Sequence, residues 1–287
     1  MRTIAIDTSA KSISVAVLQD QETIFELDST VYLEQKGAPE SETLQQEGQN
    51  AGALDQLPPG YVKKRSKRGS KTSRVFAPGA SVLLAPMIKE AFEKSNVRAS
   101  EIELVAVSVG PGLFTGLRVG VVTAKSLAYS IGAELIGVNT LETIAAQTIE
   151  AMDNQLEIHN VNRVVRPVLN AQRKQLFCGR YIAGAESNWA IDQSKPDEIL
   201  DRKEWINGLQ PNDVVSGLGL APIVEQVQTQ CPGVLVAPES TWQPTAAPVG
   251  KLALSHFQSG RRDDLWKLEP VYFRPSAAEE VRAAKNL

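Results

Sequence analysis

The sequence predicts an α/β protein of two lobes, each a β-sheet faced by helices. Short β-rich runs separated by polar turns open the chain, and buried apolar runs alternate with helical ones between residues 80 and 150. A looser, shorter version of that layout then returns in the second half. With 287 residues, 43% of them hydrophobic and 22% charged, the chain is long and apolar enough for two cores.

Taken in order, Thr3 to Ile6, Ser12 to Leu18 and Glu22 to Leu27 are β-rich and separated by the turns DTSAK and QDQ, which reads as an antiparallel meander. From residue 34 to 79 the character changes to a Gln/Glu/Gly/Ala stretch and then PPGYVKKRSKRGSKTSR. With almost no apolar periodicity, this segment cannot bury enough surface to offset its ordering entropy, and it is read as a mostly mobile surface insertion. In VLLAPMIKEAFEK the residues Leu83, Leu84, Met87, Ile88, Ala91 and Phe92 fall on one helical face, with Pro86 either starting or kinking that helix. Leu104 to Val109 is a buried strand, followed by GPGLFTG, a helical run from Leu117 to Ile131, a strand at Leu135 to Val138 and a helix near Leu141. The expected order to residue 150 is β-β-β-α-β-α-β-α. The second half offers strands at Val164 to Ala171, Gln175 to Ile182 and Val214 to Val215, and helices from about Ala221 and near Val249 to Phe257. Residues 1–150 are thus expected to form the first lobe, carrying the insertion at 34–79, and residues 151–287 the second.

A net charge of −3 supplies no global field for holding nucleic acid, so any such contact must come from a local patch. Cys178 and Cys231 are the only cysteines, and His159 and His256 the only histidines. A zinc site or a histidine-dependent triad has little to be built from, and no metal site is expected. The N-terminal MRTIAIDTSAK reads as a first strand and not as a signal peptide, and no apolar run reaches the roughly 18 residues a membrane span needs. A cytoplasmic protein without a membrane partner is expected.

Three motifs could carry function. In IAIDTSAKSISVAV, Asp7, Thr8 and Ser9 form a hairpin that could hold a phosphate tail, although an ordinary polar turn explains it as well. In SVGPGLFTGLRVGVVTAKSLAYSIG, Gly110, Pro111 and Gly112 follow a buried strand, and Thr115, Gly116 and Arg118 stand where a helix begins. Unpaired N–H groups and the helix dipole make such a turn an anion-binding geometry. Along the helix, Gly116, Gly120, Ala124 and Ala128 recur every four residues as a smooth stripe, which suits either an intermolecular contact or the protein's own core. The third motif is the basic run from residue 63 to 74, with seven Lys or Arg, which could attract a phosphate backbone. GSKTS lacks a leading strand and a glycine directly before Lys71, so it is not a phosphate loop. SVGPG at Ser108 lacks the first glycine of a nucleophile elbow.

IAIDTSAKSISVAV, the run from VAVSVGPGLFTG to IGVNTLETIA, and LEPVYFR near the end together resemble the TsaB family, also called YeaZ. The resemblance spans the first 33 residues and about 81 to 274. It implies the duplicated RNase H-like (ASKHA) fold of actin, Hsp70 and the sugar kinases, and a role in threonylcarbamoyl modification of adenosine 37 in tRNA. In that family the subunit does not catalyse. It pairs with the paralogous TsaD, which holds the metal, while the ATPase TsaE and the adenylate-forming TsaC complete the pathway. The implied interface uses the helices at 81–94 and 116–131, here through Leu83, Leu84, Met87, Ile88, Gly116, Gly120, Ala124, Leu127 and Ala128. ATP or ADP at the interface with TsaD, a homodimer of the isolated chain and tRNA contact through residues 63–74 are further expectations. The chain departs from many relatives at Asn170 and at Ala80, where a histidine is common. Asn170 stands where active ATPases of this fold carry a carboxylate, and an amide neither acts as a base nor carries charge for a divalent ion. The alternative, an autonomous ATPase or kinase, rests on Asp7 and the glycine turns. A peptidase has no activated nucleophile to run on.

Overall fold

The computed structural model describes residues 1–36, 62–65, 73–76, 79–156, 164–183, 189 and 191–273. The chain opens with strands β1 (Arg2–Asp7), β2 (Ser14–Gln19) and β3 (Glu22–Asp28), paired antiparallel in sequence order. A short helix α1 (Ser29–Gln35), capped by the Asp28 carboxylate on the Thr30 amide, ends the meander; the sequence reading placed no element there. The expected insertion also contains an element. Strands β4 (Val62–Arg65) and β5 (Ser73–Phe76) pair antiparallel, with Val62 opposite Phe76 and Arg65 opposite Ser73. Lys63, Lys64 and Arg65 follow Val62 in β4, so no apolar alternation announced it. The rest of the insertion reading, including the middle of the basic run, lies outside the described residues.

Helix α2 (Ala80–Ser95) carries Pro86 inside it and not at its start. Then follow β6 (Leu104–Gly110), α3 (Phe114–Ile131), β7 (Glu134–Asn139) and α4 (Thr140–Leu156). The second half contains β8 (Val164–Asn170), β9 (Gln175–Ala183), β10 (Ile191–Asp201), α5 (Arg202–Asn207), β11 (Val214–Ser216), α6 (Val224–Gln230), β12 (Leu235–Val236) and α7 (Ala246–Gln258). Strand β10 was missed in the sequence because IDQSKPDEILD is mostly solvent-exposed and holds Pro196, as suits an edge strand. Helix α6 starts at Val224 and not near Ala221, where a 3₁₀ turn, Leu218–Leu220, precedes it.

Two five-stranded sheets share one plan. The first runs β3-β2-β1-β6-β7 and the second β10-β9-β8-β11-β12. In each, an antiparallel meander gains two parallel strands on the free side of its first strand. The period-2 alternation of β1 and β6 sorts their side chains between two cores. Ile4, Ile6, Val105 and Val107 meet Leu84, Met87 and Val121 from α2 and α3. Ala5 and Ala106 face Val249, Leu252 and Ala253 of α7. Residue 150 lies inside α4, and the late helix α7 packs on the first sheet. Leu141, Ile144 and Ile149 of α4 pack with Val165 and Tyr181 of the second sheet.

Strand β7 is an edge of the first sheet, and its free side is gripped by side chains. The Gly137 N–H donates to Asp263 Oδ2 at 2.9 Å, and Arg261 Nη2 donates to the Gly137 carbonyl oxygen at 2.8 Å. Arg261 and Asp263 also pair with each other at 2.8 Å. Among the described residues, no helix is long and apolar enough to cross a membrane.

Candidate functional site

The parallel pairing of β1 with β6, with Ile6 beside Val107, brings Asp7 next to Ser108 at the carboxyl ends of two central strands. In open α/β sheets this is where ligands bind. Ser9 Oγ donates to Asp7 Oδ1 at 2.8 Å, and Ser108 Oγ donates to the same oxygen. Asp7 is fully buried, and its Oδ2 has no hydrogen-bond partner. Burial pushes the Asp7 carboxyl up to about 6, against the opposing pull of the Ser108 and Ser9 hydroxyls. Ser108, which lacks the glycine context of a nucleophile elbow, receives this donor role from the strand register.

The glycine turn reaches the hairpin, as the sequence suggested, but the junction is filled by the chain itself. Thr8 and Ser9 are buried, as are Gly110 and Pro111, while Gly112 and Gly116 are half-buried. The Leu113 N–H donates to the Ser9 carbonyl oxygen at 2.7 Å, and Thr8 Oγ1 donates to the Gly116 carbonyl oxygen at 2.8 Å. A Cβ at Gly112 would overlap the Ser9 carbonyl oxygen, one at Gly116 the Thr8 carbonyl oxygen, and one at Gly120 the Thr8 hydroxyl. These glycines let the start of α3 lie directly on the Asp7–Ser9 turn. On the side to which a Cβ would project, they face that turn and not open space.

The small-residue stripe is corrected in the same way. Gly120, Ala124 and Ala128 are buried within the chain, together with Leu83, Leu84, Met87 and Ile88 of α2, while Leu127 packs partly buried against the same core. Small side chains on α3 let it approach α2 and the first sheet closely, so these residues are core and not an outward surface. The outward face of α3 carries other residues. Phe114, Arg118, Val122 and Tyr129 recur at helical spacing, with Val122 62% and Tyr129 69% exposed. Thr115 is exposed beside them, and Val82 of α2 is 44% exposed. No apolar period marks this face, because Arg118 and Lys125 interrupt it.

Arg118 is engaged by two aromatic side chains of the chain itself. Its guanidinium lies 4.0 Å from the centroid of the Phe114 ring, and its Nε donates to the Tyr272 hydroxyl at 2.9 Å. Asn170 is exposed at the end of β8, and its Oδ1 accepts from the Gln172 N–H at 2.9 Å. It thereby caps a turn in which Gln172, Arg173 and Lys174 all have positive φ, at 64°, 47° and 63°. Cys178 is buried, and burial pushes its thiol up to about 12. His256 Nε2 lies 3.0 Å from Glu142 Oε1, between α7 and α4. His159 lies outside the described residues.

A family profile described as TsaD, tRNA N6-adenosine threonylcarbamoyltransferase, matches residues 75–211. The chain is 27% identical over 133 residues to the tRNA threonylcarbamoyladenosine biosynthesis protein TsaB of Bacillus subtilis (strain 168), covering 46% of this chain and 52% of that one. It is 24% identical over 199 residues to the TsaB of Escherichia coli (strain K12), covering 68% of this chain and 80% of that one. The chain thus spans about half the length of the Bacillus relative. A solved structure of YeaZ from Pseudomonas aeruginosa superposes with a TM-score of 0.62 at 17% identity, covering 94% of this chain and all of that one, which is a likeness of fold. The sequence relatives named TsaB and the architecture shared with YeaZ together support the TsaB/YeaZ family for this chain.

Proposed function

We propose that the chain acts in tRNA N6-threonylcarbamoyladenosine biosynthesis as a subunit that docks on and stabilises a TsaD-type catalyst, without carrying out the transfer itself. The names of its sequence relatives support the pathway, and the TsaD profile across residues 75–211 supports a paralogous pair. The observation that carries the docking role is the outward row of α3, where Val122 and Tyr129 stand exposed instead of packing inward and Phe114 is partly covered by Tyr272. The sealed Asp7 carboxylate, with the turn packed against Gly112 and Gly116, supports docking over turnover. In this reading a TsaE-type ATPase acts on the assembled pair. ATP or ADP contacts this chain only across the interface, and the isolated chain pairs with a second copy through the same face of α3.

A single substitution on that face tests the reading. Val122→Glu is expected to leave stability within about 0.5 kcal/mol, since the position is solvent-exposed. It should weaken the complex with the TsaD-type partner by roughly 30-fold, the loss typical of a central interface residue. Size exclusion of mixed chains and a reconstitution assay reading modified adenosine in tRNA check it. An unchanged complex would remove α3 from the interface.

The basic run supports a further contact, with tRNA. Deleting residues 63–74 removes seven Lys or Arg and is expected to flatten the salt dependence of tRNA binding by the assembled complex. An unchanged slope of affinity against salt would sink that contact.

A further inference from the structure

The last described segment lies along α3 and reaches from the first sheet to the second. Its two ends are held very differently. Lys125 Nζ donates to the carbonyl oxygens of Trp266 at 3.0 Å and of Leu268 at 3.1 Å. The Leu268 side chain lies over Gly137, where a Cβ would meet its Cδ1 at 2.8 Å. That half of the segment is anchored in the first core.

Beyond Leu268 the hold is slight. The Val271 N–H donates to the Val109 carbonyl oxygen at 2.7 Å, at the end of β6. Gly110 accommodates this crossing with φ of +120°, and a Cβ there would meet the Val271 carbonyl oxygen at 2.8 Å. Tyr272 accepts from Arg118 through its hydroxyl, and its ring centroid lies 4.8 Å from that of Phe114. The Phe273 ring lies 5.8 Å from that of Phe177 on β9, in the second sheet. Val271 is 46% and Tyr272 41% exposed.

We propose that Glu269–Phe273 is a detachable strap that competes, within the chain, for the docking face of α3, and that the TsaD-type partner displaces it. The proposal rests on the docking reading above. Tyr272 covers Phe114 and engages Arg118, and these two residues are the amino-terminal half of the outward row that continues through Val122 to Tyr129. A partner seated on Val122 and Tyr129 that extends along the row meets the Tyr272 ring. Segments held by few, solvent-exposed contacts open at lower free energy than the core they rest on. Pro270 contributes no N–H, so the residues between Leu268 and Val271 add no donor at that position. Because Phe273 rests on the second sheet, release of the strap also removes a tie between the two halves, and docking is thereby coupled to loosening them.

Two measurements on the full-length chain test this separately. In the isolated protein, hydrogen exchange at the Val271 amide is expected to run at least about tenfold faster than at Val105 and Val107 in β6, because the strap opens without the sheet unfolding. Equal protection overturns the strap. With the partner added, Tyr272→Ala and Phe273→Ala are each expected to tighten binding by roughly three- to tenfold, since a larger fraction of molecules presents the open face. Weaker binding by these variants overturns competition and makes the segment part of the interface. A wild-type chain that fails to bind the partner overturns the docking reading and the competition together, while the exchange result still decides whether the strap opens.

Discussion

Gly116→Ala is expected to destabilise the folded protein by about 2–3 kcal/mol, although alanine is the better helix former by about 1 kcal/mol. The new Cβ would overlap the Thr8 carbonyl oxygen, which is backbone and cannot rotate aside. Thr8 is itself buried and tied back to the Gly116 carbonyl by its hydroxyl, so the helix and the turn must separate together. Overpacking of this kind typically costs 1–3 kcal/mol, roughly, and a contact with main chain belongs at the upper end. For a chain of this size the loss corresponds to a fall in Tm of about 5 °C or more. Thermal denaturation measures it, and Val122→Glu is the control. That variant should lose the partner with its Tm unchanged, whereas Gly116→Ala should lose stability first. An equal or higher Tm for Gly116→Ala would show that α3 does not lie as closely on the Thr8 turn as the geometry requires.

Asp7→Asn is expected to stabilise the protein above pH 6 and to leave it unchanged near pH 4. The folded carboxyl titrates at about 6, above its ordinary 3.8, because burial disfavours the charge more than two hydroxyls favour it. Between these values the folded state binds more proton than the unfolded one, so stability falls as pH rises through that window and is flat above it. A shift of about two units corresponds to at most roughly 3 kcal/mol. Part of that gain is offset because the asparagine N–H₂ would stand where Oδ2 now has no partner. The net gain at pH 7.5 is therefore about 1–2 kcal/mol, and the slope between pH 4 and 6 should be lost. Denaturant titrations of both proteins across that range check it. A destabilised variant at pH 7.5 would mean that the ionised carboxylate is held by something the two serines do not supply.

The first lobe was readable because its signals are local. Alternation in β1 and β2, the apolar run of β6 and the long helical period of α3 are each contained in a few adjacent residues. The second sheet was read incompletely because β10 is an exposed edge and β12 has only two residues. In the candidate site, the residues Asp7 to Ser9 and Gly110 to Gly116 do converge, and their convergence could be guessed from strand order. Their use could not. A glycine needed for close approach looks the same in sequence whether the approaching group is a phosphate or the protein's own main chain. The stripe from Gly120 to Ala128 carried the same ambiguity, since small side chains mark a close contact without naming its partner. The exposed row through Val122 and Tyr129 was hidden by Arg118 and Lys125, which break the apolar pattern but are drawn off to Tyr272 and to the carbonyls of Trp266 and Leu268.

The pairing of Arg261 and Asp263 around Gly137 has a consequence for how this protein can assemble. Between them, a guanidinium and a carboxylate offer the middle of β7 one donor and one acceptor, as a passing peptide would, so that edge is already spoken for by a counterfeit neighbour. A second sheet cannot extend the first by adding a strand there without first evicting both side chains. Growth into ribbons or fibres through the middle of β7 is thereby opposed, and of the two edges of that sheet, β3 and β7, only β3 is without such a plug among the described residues.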